Sequence, residues 1–116
     1  RLRVAGWDPG PLVDMARTAA ATGARVAWQL TLPPSDRPRP VDGIAPFLIR
    51  WANDAPHPAG SAPGGCAIRS LRAEHPQPDD ARRALDALGV HLPVARGDAP
   101  ALIAHIDAPR GSIFLR

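Results

Sequence analysis

Gln29, Arg50 and His57 are the side chains whose types and setting best suit the capture of a small molecule. Gln29 and Arg50 fall on the less apolar faces of two apolar segments that lie close together in the chain. A carboxamide donates and accepts at once, and a guanidinium grips a carboxylate through two parallel N–H bonds. If the two segments pair as adjacent strands, amide and guanidinium converge on an anionic or carbonyl-bearing ligand. His57 stands in APHPA with Pro56 and Pro58 on either side. Those prolines lower the entropy lost in presenting an imidazole at a cleft wall. Each residue also has a plainer reading: Gln29 as a surface position, Arg50 as a solvated strand edge, and His57 as a loop histidine that caps the sheet.

The other reactive side chains are poorer candidates. Glu74 and His75 are neighbours between a strand and a helix, so they point in different directions and make a poor metal pair. His75 is expected to serve the start of that helix. His91 and His105 lie in expected strands, and Asp107 is the nearest partner of His105 on its face. Cys66 has no adjacent base and reads as a small buried residue. Trp28, Trp51 and Phe47 read as core rather than as a stacking platform. Arg82 and Arg83 read as helix-face partners of Asp79 and Asp80. No Ser/His/Asp arrangement, phosphate loop or dinucleotide fingerprint is present, and the glycines of GSAPGG lack a strand-to-helix setting.

Composition narrows the classes. A chain of 116 residues is one domain's worth, and its 45% hydrophobic and 22% charged content is that of a folding protein. All fourteen basic residues are Arg, yet they are scattered and the net charge is only +3. A nucleic-acid partner would need them clustered, so none is expected. The single cysteine excludes an internal disulfide, and a reducing cytoplasm is the expected compartment. No apolar run approaches the roughly 20 residues of a membrane helix, so no membrane partner is expected. The opening RLRVAG reads as the last turn of a helix ending at Gly6, and the chain is expected to begin inside a larger unit.

Between these markers the elements alternate quickly, because fifteen prolines and ten glycines punctuate them. Trp7 to Pro11 is a turn. Leu12 to Thr22 is Ala-rich and unbroken, which locally favours helix. Arg25 to Leu32 sets Val26, Trp28, Leu30 and Leu32 against Arg25, Ala27, Gln29 and Thr31, the period-two pattern of a half-buried strand. Residues 33–42 form a proline-rich loop, and a second strand is expected from Ile44 to Trp51. Residues 53–65 are a Pro/Gly/Ser/Ala linker. A strand over 66–73 and an amphipathic helix over 78–88 follow, the helix opening on Asp79 and Asp80 and stopping at Gly89. Strands over 90–95, 101–107 and 112–115 complete the order strand, helix, strand, strand, strand.

In that setting WQLT, DGIAPFLIRW, APHPAG, GC, SLRAEHP, LDALGV and the closing APRG, in this order, resemble the glyoxalase-like domain of the vicinal oxygen chelate superfamily. The resemblance implies an α+β fold of βαβββ modules, with a mixed and mostly antiparallel curled sheet of about seven strands enclosing a cup. Residues 1–52 would be the C-terminal part of a truncated module, 53–65 a linker and 66–116 a complete module. The resemblance also makes residues 12–22 extended, with a turn at Thr22 and Gly23. It implies a small carbonyl-containing or anionic ligand, either acted upon or only bound, in which case the chain is a non-catalytic module or inactive fragment. Family enzymes hold a metal by His and Glu from the first and last strands of a module. PFLIRW and SIFL carry no carboxylate, and Arg50 stands where related sequences tend to be acidic. No metal site is therefore expected within the chain, and a divalent metal cofactor would need ligands from outside it. An exposed sheet edge makes a homodimer a further expectation.

Overall fold

The computed structural model describes residues 9–20, 22–33, 35–36, 39–54 and 57–116. The helix end expected at RLRVAG, and Trp7 and Asp8 of the first turn, lie outside the described residues. The described chain divides into two compact units, one formed by residues 9–36 and 47–63 and the other by 39–46 and 64–116.

The first unit is a three-stranded antiparallel sheet in the order β1-β2-β3, with β1 at Leu12–Thr18, β2 at Arg25–Thr31 and β3 at Ile49–Trp51. β1 is extended, as the resemblance implies and against the local helical propensity of the Ala-rich stretch 12–22, because β2 pairs with it along its whole length, from Leu12↔Thr31 to Thr18↔Arg25. Ala19 donates its N–H to the Ala24 carbonyl at 2.8 Å, and Gly23, at φ 69°, donates to the Ala19 carbonyl at 2.8 Å, which closes the hairpin. β3 is shorter than expected and begins at Ile49 rather than Ile44. Pro46 has no N–H for a ladder, and the Leu48 N–H goes to the Thr31 Oγ1 at 2.9 Å. Thr31, only 4% exposed, returns the contact from its own N–H to the Leu48 carbonyl at 2.9 Å, so its buried backbone N–H and its hydroxyl oxygen are both hydrogen-bonded to Leu48.

The second unit is a four-stranded mixed sheet in the order β5-β4-β6-β7: β4 at Ala67–His75, β5 at Val94–Arg96, β6 at Ala101–Ala108 and β7 at Gly111–Leu115. β4 and β5 are parallel and joined through α1 at Pro78–Ala87, whereas β4/β6 and β6/β7 are antiparallel. The strand–helix–strand–strand–strand order is the expected one. The fold is α+β with seven strands, divided into sheets of three and four rather than joined in one.

Helix α1 forms where its signals stand. Pro78 occupies its first turn with Asp79 and Asp80, and Ala81 and Leu85 are buried one turn apart. Gly89, at φ 68°, donates to the Asp86 carbonyl at 3.0 Å and Val90 to that of Leu85 at 2.9 Å, a Schellman stop. Ala81 and Leu85 pack with Ile44, Ala73 and Val94 as the buried core, flanked by Val41, Val90 and Leu92. The loop expected over 33–42 ends in a 3-10 segment, Pro40–Gly43, where Val41 (φ 49°) and Asp42 (φ 53°) take left-handed conformations. The linker expected over 53–65 contains another, Pro58–Ser61.

Candidate functional site

Strand register decides which side chains meet in the three-stranded sheet. Asp14, Gln29 and Arg50 are direct cross-strand partners, so they share one row and one face. Gln29 Nε2 donates to Asp14 Oδ1 at 2.7 Å, and Arg50 Nη2 donates to Gln29 Oε1. The amide is held at both ends. Carboxylate, amide and guanidinium form a polar row across all three strands, and the guanidinium retains donors that Gln29 does not use.

The next row on the same face is built of methyl groups. Ala16 opposes Ala27, and Ala52 donates its N–H to the Ala27 carbonyl at 3.1 Å. One row further along, Thr18 opposes Arg25. The small alanines leave room above the sheet between the polar row and Arg25. A cleft of about 430 Å³ lies there, lined by Asp14, Ala16, Arg25, Ala27, Gln29, Arg50 and Ala52 together with Met15, Trp28 and Trp51.

Of the three residues singled out from sequence, the structure brings Gln29 and Arg50 together and leaves His57 apart from them. His57 Nδ1 accepts the Ala59 N–H at 3.1 Å and so caps the Pro58–Ser61 segment. Its ring meets Trp51 edge-on, with centroids 5.0 Å apart, and Trp51 tilts against Trp28 at 5.5 Å. His57 is not part of the cleft lining. Asp14 is the member of the row that sequence reading missed. Once β1 is taken as extended, the turn at Thr22 and Gly23 is the signal that would set Asp14 opposite Gln29.

His75, Glu74, Asp107, His105, Arg82 and Arg83 have structural partners. His75, 4% exposed, accepts the Gln77 N–H at Nδ1 (3.0 Å) and donates from Nε2 to Asp42 Oδ2 (3.0 Å), tying the start of α1 to the 3-10 segment. Glu74 is paired with Arg72 at 2.7 Å and with Arg116 at 2.9 Å. Asp107 accepts from Ser112 Oγ at 2.7 Å and is paired with Arg69 at 2.7 Å, while His105 stacks on Phe114 at 4.3 Å, so His105 and Asp107 have separate partners. Arg82 and Arg83 meet Asp79 and Asp80 as expected. Two expectations are corrected. Cys66 is exposed rather than buried, because burial on β4 is confined to Ala73 and His75 near its C-terminal end, where α1 packs. Phe47 is 59% exposed rather than core, because it precedes the shortened β3.

A divalent metal, which the resemblance implies for the enzymes of the superfamily, needs several anionic or imidazole donors converging on one point. Among the described residues no three His, Cys, Asp or Glu side chains are grouped to hold one. The cleft's carboxylate, Asp14, is engaged by Gln29, and Arg25 and Arg50 bring positive charge to the same lining. This donor set does not fit a dication. Among the described residues no helix is long and apolar enough to cross a membrane.

Comparison with curated proteins and with solved structures gives no match. Comparison with protein families does: the model of the glyoxalase-like domain matches residues 1–89, from the start of the chain through β1 to β4 and α1 to Gly89. The APRG segment lies beyond the matched residues, whereas WQLT, DGIAPFLIRW, APHPAG and SLRAEHP lie within them. With the match spanning most of its length and an α+β fold in the expected element order, the chain belongs to the glyoxalase-like domain family of the vicinal oxygen chelate superfamily.

Proposed function

We propose that the cleft on the Gln29 face binds a small anionic molecule that carries a carbonyl group. The observation behind this reading is the Asp14–Gln29–Arg50 row, which holds an amide in one orientation beside a guanidinium at the edge of a methyl-floored cleft. In the bound state Arg50 takes the carboxylate, and the second Nε2 hydrogen of Gln29 is available to a carbonyl oxygen. The cleft volume of about 430 Å³ is within the range of small-molecule sites. Because the lining suits an anion and does not suit a dication, the chain is a binding module in this reading. The superfamily's metal-assisted chemistry would need ligands supplied from outside it.

Isothermal calorimetry with 2-oxobutyrate, a small 2-oxo monocarboxylate, tests the reading at fixed ionic strength. The wild-type chain should bind, Arg50→Ala should bind about tenfold or more weakly, and His57→Ala, outside the lining, should bind like wild type. Equal affinity of Arg50→Ala and wild type would count against it.

A further inference from the structure

We infer that Arg25 is a second anion anchor of this cleft and that the ligand is a dicarboxylate. The inference rests on the proposed binding function and narrows its ligand class. Arg25 lines the cleft together with Arg50, on the far side of the alanine row. Its guanidinium has no hydrogen-bond or ion-pair partner among the described residues; Arg17, Arg39 and Arg110 have none either, but they do not line the cleft, and Arg69, Arg72, Arg82, Arg83, Arg96 and Arg116 are all paired or hydrogen-bonded.

Spacing sets what can bridge the two. Arg25 and Gln29 are four residues apart on β2, so they share a face, with roughly 13 Å between their Cα atoms at strand rise. Ala16 and Ala27 fill the row between them and present only methyl groups. A flexible, five-donor side chain at each end can approach over that floor. The lining carries Arg25 and Arg50 against the one carboxylate of Asp14, which is bonded to Gln29, so one positive charge stays uncompensated. A monocarboxylate at Arg50 answers the Gln29 end and leaves Arg25 bare. A second carboxylate at the far end of a short chain answers both.

The test compares two probes at constant ionic strength by calorimetry: 2-oxobutyrate, with one carboxylate, and 2-oxoglutarate, with two. The expected result is about tenfold tighter binding of 2-oxoglutarate, the scale of one added charge-assisted contact. Arg25→Ala should remove that preference by weakening 2-oxoglutarate alone, and Arg25→Lys should keep part of it. Because Arg25 is exposed at the start of β2, circular dichroism should show both variants folded. Equal affinity of the two acids for the wild type, or a preference that survives Arg25→Ala, overturns the inference and leaves the proposed binding function standing. Absence of binding for both acids overturns the two together.

Discussion

Gln29 donates from Nε2 to Asp14 Oδ1 at 2.7 Å, which leaves its Oε1 to accept from Arg50. The direction of hydrogen bonding therefore runs from guanidinium to amide to carboxylate. In the proposed binding mode Asp14 is a positioning residue that acts through Gln29, while Arg50 and Gln29 supply the donors.

Reversing the middle of this row should be costly unless its end is reversed too. Gln29→Glu retains the acceptor for Arg50 but sets a second carboxylate against Asp14, and it cancels the net positive charge of the lining. Calorimetry should show 2-oxobutyrate binding weakened about tenfold or more. Adding Asp14→Asn restores a donor opposite the new carboxylate and the original charge sum, so the double variant should regain part of the affinity, short of wild type by the contact that the Gln29 amide makes to the ligand carbonyl. Strict additivity of the two changes would show that the row is not coupled.

How much of this row was legible follows from the patterns of its strands. The alternation around Gln29 announces β2 from Arg25 onward, and the Asp79, Asp80 and Gly89 signals mark α1 to within a residue at its C-terminal end. Asp14 was hidden because LVDMARTAAAT has local helical propensity; the resemblance makes the segment extended, which β1 bears out, but only the register with β2 sets Asp14 opposite Gln29. The late start of β3 was hidden for a related reason: the Thr31 hydroxyl, not a ladder carbonyl, takes the Leu48 N–H. The position of His57 depends on its packing against Trp51, a contact that no local pattern encodes. Residue types pointed to amide and guanidinium, while register decided their company.

The His75–Asp42 contact should be visible in stability. Asp42 takes φ 53°, a conformation that Asn tolerates well and Ala does not, and Asn retains an acceptor for His75 Nε2–H. Asp42→Asn should therefore be close to neutral in urea denaturation. Asp42→Ala should lose about 1 kcal/mol or more, since His75 is buried and keeps an unpaired donor. Equal midpoints for the two variants would show that the contact contributes nothing.

Acid should weaken the second unit through two carboxylates. The hydrogen bond from Arg72, with Arg116 adding to it, holds Glu74 below its ordinary 4.5, and the Ser112 hydroxyl followed by Arg69 holds Asp107 below its ordinary 3.8. A carboxyl whose pKa is depressed on folding leaves the unfolded chain as the better proton binder in that range. Its stabilisation is present above the ordinary value and is lost as pH falls from there through the lower folded value. The melting temperature should decline on acidification from 4.5 for the Glu74 contribution and from 3.8 for that of Asp107. Glu74→Gln with Asp107→Asn should flatten the decline. An unchanged slope in the double variant would contradict the assignment.

The most direct measurement is a nuclear magnetic resonance titration of the labelled chain with 2-oxobutyrate, following the side-chain Nε2–H₂ signals of Gln29 and the Nε–H of Arg50. Binding on the polar row predicts that these signals move with one shared dissociation constant, with the Ala27 amide, on the floor of the same cleft, moving alongside them. Saturable shifts elsewhere with Gln29 and Arg50 unmoved would contradict the account.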